Sequence, residues 1–332
     1  MSSLVGNTPV LTRARARGAR GLASGIFLLG TALLGALPGA ALADGRSAAR
    51  NLFANAARAH VNLNLTEQST MVSPTLVRGV YSLANAQGRA SGYINEAGNL
   101  YGDTHGFRLF TPDGAPPRLM TAPEVAALRG EVMQAIDYDK LVKVQYGDGG
   151  GRRMVMFSAL DCGYCKLFEK HFSELGKTND TTFYVVPMSL RPSQSGGART
   201  WQEVSQIWCD SNNGDAWKRY WATGQLPPAR GCVFDAATAE RSTRELWEIL
   251  EAVGLPITGT PTLLREDGVK LKAGDLRTYL KQPAPPVPAG QPVWLVADNF
   301  QMQRVGDTAP PQQQQPHSNK VHVGDMLKKL LK

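Results

Sequence analysis

The sequence is short of residues that define several familiar classes of protein. Only four of its 332 residues are cysteines and five are histidines, and no histidine pair accompanies the cysteines, which disfavours a zinc site. No apolar run after residue 43 is long enough to span a membrane. Basic residues form no stripe interleaved with aromatics, so nucleic-acid binding is not indicated. What remains is an ordinary composition, 42% apolar and 19% charged, in a chain long enough for about two domains.

The first 43 residues have the pattern of a secretory signal peptide. A region with four arginines and no acids precedes the apolar run Gly25–Leu37, and Pro38 and the small residues ending at Ala43 follow it. We expect cleavage near Ala43 and export to the periplasm, where disulfides form and persist. The alternative is an uncleaved membrane anchor, which the shortness of the run disfavours. Removal of residues 1–43 lowers the formal charge from +8 to +4.

The region before residue 140 contains no clustered acid, base or nucleophile. Its pattern predicts a short amphipathic helix over 46–60, then short strands and hairpin turns over 76–110. Thr121 and Glu124 form a capping box that predicts a helix from Pro123 to about Ile136. We interpret this helix as a linker between two domains, with membership of a single domain as the alternative.

The following region predicts a thioredoxin plan with extra helices inserted before the last hairpin. A strand leads into a Cys-x-x-Cys motif and a helix, and another strand, a helical stretch, a hairpin and a short helix follow. Residues 283–316 are rich in proline and glutamine, with an interruption at Val293–Val305, and we predict a mostly extended tail. The predicted elements are Leu141–Tyr146, Met154–Ser158, Thr182–Val186, Thr200–Val253, Thr262–Leu271 and Asp275–Lys281.

The motif Cys162-Gly163-Tyr164-Cys165 predicts redox chemistry. Cys162 falls where a strand ends and a helix begins, and the unpaired N–H groups and helix dipole there favour a thiolate, the attacking species. We expect the Cys162 sulfur to be exposed and Cys165, one turn further, to be less exposed and placed to resolve a mixed disulfide. Asp161, an anion beside Cys162, opposes thiolate formation. A structural zinc site is the alternative, and it lacks a second close ligand pair.

A second motif, Gly259-Thr260-Pro261-Thr262, precedes the last strand pair. In a thioredoxin fold this position places a cis X-Pro bond opposite the Cys-x-x-Cys motif, and cis bonds are nearly confined to proline. The exposed backbone of Thr260 would then pair with an extended substrate segment. An ordinary proline at the start of a strand is the alternative.

The remaining cysteines, Cys209 and Cys232, lie in the helical insertion. If Cys162 and Cys165 form the redox pair, elimination pairs these two with each other. We expect a structural disulfide that stabilises the fold by roughly 3 kcal/mol. A second redox couple is the alternative.

The segments "FSALDCGYCKLFEKHF", "SQIWCDSNNGDAWKRYW", "GCVFD" and "GTPTLL" resemble the thioredoxin-fold domain of the DsbC/DsbG family of periplasmic disulfide isomerases. The similarity covers Met154–Gln282 and continues weakly upstream into that family's dimerisation domain and linker. The Gly163-Tyr164 dipeptide is closer to DsbC than to DsbG. The resemblance implies a homodimer, a membrane thiol reductase of the DsbD type as the electron donor, and no cofactor or metal ion.

Together these observations predict an α/β protein with a thioredoxin fold, a helical insertion, a small α+β dimerisation domain and a linker helix. The predicted catalytic residues are Cys162 and Cys165, and the predicted substrate-binding residues are Gly163, Tyr164, Thr260 and Pro261. The expected domains are a signal peptide (1–43), the dimerisation-like domain (44–120), the linker (121–140), the catalytic domain (141–283) and the tail (284–332).

The expected function is isomerisation or reduction of incorrect disulfides in exported proteins. One alternative is a DsbG-like enzyme that reduces sulfenic acids on single cysteines. Another is a non-catalytic chaperone or component of a secretion or conjugation system that keeps the fold for binding. The second alternative requires the Cys-x-x-Cys motif to be dispensable.

Overall fold

The computed structural model describes residues 44–103, 105–149, 152–175, 180–282 and 300–307. The predicted signal peptide and most of the predicted tail lie outside these residues.

Helix α1 (Gly45–Arg58) opens the described chain, close to the predicted bounds. The Asp44 carboxylate accepts a hydrogen bond from the backbone amide of Ser47 at 2.7 Å and so caps the helix. Small apolar residues and Leu52 repeat at helical spacing on the buried face, which packs on the sheet that follows.

An antiparallel meander follows α1, as the pattern of hydrophobic residues and turns predicted. Gly98 lies in the turn between its third and fourth strands with φ +65°, and a Cβ there would lie 2.4 Å from the carbonyl oxygen of Ala48. The turn therefore needs glycine in order to let α1 approach the sheet. The strands are β1 (Met71–Pro74), β2 (Val80–Ala84), β3 (Ala90–Asn95), β4 (Leu100–Asp103), β5 (Gly106–Leu109) and β6 (Arg118–Leu119).

Helix α2 (Ala122–Ala135) begins at the predicted capping box. The Glu124 carboxylate accepts a hydrogen bond from the backbone amide of Thr121 at 2.8 Å. At the other end of α2, the carbonyl of Ala135 accepts from the amide of Arg78 in the N-terminal region at 2.8 Å. Between them, the Arg129 guanidinium donates to the carbonyl of Val253, also at 2.8 Å. Helix α2 thus contacts both halves of the described chain.

The second sheet carries the Cys-x-x-Cys motif and has the strand order β11-β10-β8-β9-β7. Strands β8 and β9 are parallel, and the other pairs are antiparallel. Strand β8 occupies the centre, buried between β10 and β9, and leads into helix α3. These elements are β7 (Val142–Tyr146), β8 (Arg152–Ala159), α3 (Gly163–Leu175), β9 (Thr181–Met188), β10 (Thr262–Arg265) and β11 (Lys270–Leu271).

The predicted helical insertion is present between β9 and β10. It consists of α4 (Ala198–Trp208), α5 (Asn213–Thr223) and α6 (Ala236–Ala252), and α7 (Leu276–Leu280) closes the domain. Four of the five tryptophans that the sequence places in this stretch contact aromatic neighbours, as expected for a core role. This arrangement confirms a thioredoxin fold with inserted helices.

Three short strands were missed by the sequence patterns: β1, β6 and β12 (Gln303–Arg304). Strand β12 belongs to the predicted tail and pairs antiparallel with β1, which gives the N-terminal sheet the order β12-β1-β2-β3-β4-β5-β6. The expectation of a mostly extended tail therefore omitted a packed segment. Its buried residues, Phe300 and Val305, are 2% and 0% exposed.

Candidate active site

The turn after β8 delivers Cys162 to the start of α3. The amide of Leu160 donates to the carbonyl of Met188 at 3.0 Å, which fastens the turn to the end of β9. The carbonyl of Cys162 accepts from the amide of Lys166 at 3.1 Å, the first hydrogen bond of the helix. Cys162 therefore lies at the positive end of the helix dipole, as the sequence predicted.

The Cys162 sulfur faces the loop that contains Thr260 and Pro261. Its distance to the carbonyl oxygen of Thr260 is 3.4 Å, and the Thr260–Pro261 peptide bond is cis, as predicted. The Cys162 side chain is only 8% exposed, so it is more enclosed than we expected for the attacking thiol. The sequence motifs that are 98 residues apart thus meet at one point.

Two opposing effects act on the pKa of Cys162. Burial raises the pKa of this thiol, but the Thr260 side chain and the first turn of α3 stabilise the thiolate and outweigh burial, so the net shift is downward. The Thr260 hydroxyl has no hydrogen-bond partner of ordinary geometry among the described residues, so it is available to a thiolate. The site therefore favours the ionised form of Cys162.

Cys165 has the opposite character. Its side chain is 0% exposed, and burial raises the pKa of its thiol to about 11. The amide of Ala159 lies 3.4 Å from its sulfur. Both cysteines are unpaired thiols in the structure, and the pKa of Cys162 is shifted downward whereas the pKa of Cys165 is shifted upward.

The Asp161 carboxylate is held at the end of β9. It accepts hydrogen bonds from the Ser189 hydroxyl at 2.9 Å and from the Leu190 amide at 2.8 Å. These bonds give the carboxylate neutral donors. The opposing effect that the sequence suggested does not prevent the lowered pKa of Cys162.

The surface around the cysteines exposes large apolar side chains. Tyr164 is 77% exposed, Leu167 is 54% exposed, and Leu190 at the end of β9 is 51% exposed. A Cβ added at Gly163 would have no neighbouring heavy atom within 4 Å, so the space beside Cys162 is open to an approaching chain. Such a surface suits apolar segments of an incompletely folded chain.

Sequence reasoning missed Glu169, four residues after Cys165 on α3. This carboxyl group is buried, and it accepts a hydrogen bond from the Trp217 indole N–H at 2.9 Å. Burial raises its pKa to about 8, so it is mostly protonated at neutral pH. A signal was present in the sequence, because i+4 spacing places Glu169 on the same face of α3 as the buried Cys165. Only the packing of α5 shows that Glu169 is enclosed.

Cys209 and Cys232 form a disulfide with a Cα–Cα distance of 5.5 Å. Cys209 is the C-cap residue of α4, and Cys232 lies on the exposed segment before α6. The amide of Phe234 lies 3.2 Å from the Cys232 sulfur. The disulfide therefore fixes the segment that leads into α6.

The described ranges contain neither a cluster of metal ligands nor a membrane-spanning helix. No group of three or more histidine, cysteine, aspartate or glutamate side chains there has the arrangement of a metal site. No helix in those same ranges has the length and apolar character needed to cross a membrane.

Comparisons with known proteins agree with this geometry. A sequence profile described as a thioredoxin-like domain matches residues 140–281. A probable thiol:disulfide interchange protein DsbC from Bordetella parapertussis is 30% identical over 167 residues, 49% of this chain and 53% of that protein. The corresponding protein from Bordetella pertussis is 29% identical over a span of the same length. The chain thus spans about half the length of the curated relatives it matches.

Among solved structures, a disulfide interchange protein from Neisseria gonorrhoeae is 22% identical, with a TM-score of 0.33. The match covers 44% of this chain and 98% of that one.

Residues 140–281 therefore form a thioredoxin-like domain, the class that the sheet order, the Cys-x-x-Cys motif and the cis-proline loop define. Over about half of its length the chain is similar to proteins named as probable thiol:disulfide interchange proteins DsbC.

Proposed function

We propose that this protein is a thiol:disulfide isomerase and reductase that acts on incorrect disulfides in exported proteins. The observation that carries the proposal is the contrast between the two thiols. The pKa of Cys162 is lowered, and its sulfur lies 3.4 Å from the carbonyl oxygen of Thr260. The pKa of the enclosed Cys165 is raised to about 11. The Cys162 sulfur is thus suited to attack as a thiolate, and Cys165 is suited to stay protonated until a mixed disulfide forms.

The Cys162 thiolate attacks one sulfur of a substrate disulfide. A new S–S bond joins the enzyme and the substrate, the old S–S bond breaks, and the other substrate sulfur leaves as a thiolate. A different substrate thiolate then displaces Cys162, which gives a rearranged disulfide with no net electron transfer. Alternatively, Cys165 loses its proton and attacks the Cys162 sulfur, which releases a reduced substrate and leaves Cys162 and Cys165 oxidised.

The loop containing Thr260 and Pro261 is proposed to hold the substrate backbone during this exchange, with Gly163 and Tyr164 on the other side. The exposure of Tyr164 and the open space beside Gly163 support this arrangement. An extended peptide in such a cleft gains affinity from backbone hydrogen bonds, which tolerate many substrate sequences.

The cellular setting is part of the proposal. The leader sequence and the DsbC-type relatives support a periplasmic location after cleavage near Ala43. Net reduction leaves a disulfide on the enzyme, so an external dithiol must return two electrons. A membrane thiol reductase of the DsbD type is the proposed donor, and a homodimer is the proposed assembly.

The test is capture of substrates by Cys165→Ala in cells that export disulfide-bonded proteins. This variant should accumulate mixed disulfides, because no internal thiol resolves them. A thiol reductant should cleave these mixed disulfides. The matched control, Cys162→Ser with Cys165→Ala, should capture nothing. Equal capture by the control would contradict the proposal. Captured proteins with several cysteines fit isomerisation, whereas proteins with a single cysteine would favour the sulfenic acid alternative.

A further inference from the structure

The segment Phe300–Asp307 packs along the edge of the N-terminal sheet. Strand β12 pairs with β1, and the Val305 amide donates to the carbonyl of Thr70 at 2.9 Å. Val305 is fully buried in the same apolar cluster as Leu52 of α1. The Arg50 guanidinium donates to the carbonyl of Val305 at 3.2 Å, which fastens the segment from the helix side.

The other end of the segment packs on the catalytic domain. The Phe300 ring is 2% exposed, and its centroid lies 5.1 Å from that of Phe234, just before α6. The Arg241 guanidinium, on α6, donates to the carbonyl of Phe300. Eight residues thus bridge the two halves of the described chain through a buried aromatic contact at one end and a strand at the other.

The structural disulfide holds the residue that receives Phe300. Phe234 lies two residues after Cys232, and its ring stacks on Trp208 with centroids 4.4 Å apart. The Ser205 hydroxyl donates to the carbonyl of Phe234 at 2.8 Å. Because Cys209 directly follows Trp208, the Cys209–Cys232 disulfide links the chain segments on both sides of this aromatic stack.

We infer that Phe300–Asp307 is an interdomain strap that pairs with the edge of β1 and fastens the N-terminal sheet to the helical insertion. The Cys209–Cys232 disulfide holds Phe234, the residue that Phe300 contacts, in place. An uncovered strand edge presents unpaired backbone groups to other chains, and β12 removes that liability at β1. Strand β12 pairs with Met71 and Val72, so this part of the β1 edge is not open to a second copy of the chain while the strap is in place. The thiol chemistry at Cys162 does not depend on the strap.

The test is hydrogen exchange measured by mass spectrometry on the full-length chain. In Phe300→Ala, amides of 300–307 and of β1 should exchange about tenfold faster or more, because local opening of the strap becomes easier. The matched control is Gln303→Ala, whose side chain is exposed on the same strand and which should exchange as the wild type does. Unchanged exchange in Phe300→Ala would overturn the inference. If that variant fails to fold, Phe300→Leu is measured instead, with a smaller increase expected.

A second experiment tests whether the Cys209–Cys232 disulfide supports the packing of the strap. The double variant Cys209→Ser, Cys232→Ser should accelerate exchange in 300–307, and wild-type protection there would refute the role of the disulfide. Insulin reduction is measured on the same samples. Phe300→Ala should keep the wild-type rate, so a failed strap and a failed redox assignment give different results.

Discussion

The two cysteine pairs of the thioredoxin-like domain differ in the helix end at which the first cysteine of each pair lies. Cys162 precedes the first turn of α3, where the helix dipole and free N–H groups stabilise a thiolate. Cys209 is the C-cap of α4, at the negative end of a helix, where a thiolate is disfavoured. The first pair is found as thiols beneath the proline loop, and the second as a disulfide. The comparison teaches that local electrostatics, more than the presence of two cysteines, distinguishes the proposed reactive pair from the pair that forms the disulfide.

Replacement of Cys162 by serine gives the largest expected effect. Insulin reduction and rescue of scrambled ribonuclease should fall to the uncatalysed rate, because residues that act as a unit lose nearly everything when one is removed. The free energy of unfolding should change by about 1 kcal/mol or less. Activity assays and urea unfolding on the same preparation check both expectations. Wild-type activity in this variant would contradict the assignment of the nucleophile.

Loss of the second pair should have the reverse profile. In Cys209→Ser with Cys232→Ser, the free energy of unfolding should fall by roughly 3 kcal/mol, since the closed loop restricts the unfolded chain. Activity per folded molecule should stay close to the wild-type value. Urea unfolding and insulin reduction in low urea provide the measurements. Full stability combined with lost turnover would make this pair a second redox couple.

The buried Glu169 adds a pH dependence to the region of the reactive pair. Its pKa is raised to about 8 in the folded protein, above the ordinary carboxyl value of 4.5. The folded state therefore holds a proton that the unfolded state has lost, so stability should decrease as pH rises from about 4.5 to about 8. Glu169→Gln keeps an acceptor for Trp217 and removes this decrease, worth on the order of 2–4 kcal/mol.

Urea unfolding at about pH 5 and about pH 9 measures the effect as a difference between the wild type and Glu169→Gln. Burial also raises the pKa of Glu245 to about 7, so the wild-type curve contains both groups. Only the difference belongs to Glu169. Parallel curves for the two proteins would show that Glu169 is ionised in the folded state.

The geometry around Cys162 and Cys165 could be predicted from sequence because its signals are local. An apolar strand, a Cys-x-x-Cys motif and a Thr-Pro dipeptide each constrain the backbone within a few residues, and the fold brings Cys162 and Thr260 together. The enclosure of Cys162 was underestimated, because the loop that covers it comes from a distant part of the chain. Burial of Glu169 was missed for the same reason, since α5 supplies its cover.

The strap was beyond prediction from local pattern. Strand β12 has two residues, too few for an alternating pattern, and it pairs with a strand more than 200 residues earlier in the chain. Proline- and glutamine-rich surroundings indicate an extended tail whether or not one segment of it packs. Only the pairing with β1 and the burial of Phe300 and Val305 distinguish the two cases.

The smallest expected effect tests the contribution of the proline loop to the thiolate. Thr260→Val keeps the shape of the side chain and removes a hydroxyl that has no ordinary hydrogen-bond partner among the described residues. The pKa of Cys162 should rise, because one of the groups that lower it is lost. Stability should be unchanged or slightly higher, since a buried unsatisfied hydroxyl costs free energy. The pH dependence of alkylation in a Cys165→Ala background measures the pKa.

Thr262→Val is the matched control, two residues away. The Thr262 hydroxyl donates to the carbonyl of Gly259 at 2.6 Å, so its loss should reduce stability by about 1 kcal/mol and leave the pKa of Cys162 in place. Opposite outcomes for neighbouring threonines would separate a hydroxyl that serves the thiolate from one that serves the loop. If both variants keep the wild-type alkylation profile, the thiolate is stabilised by the start of α3 alone.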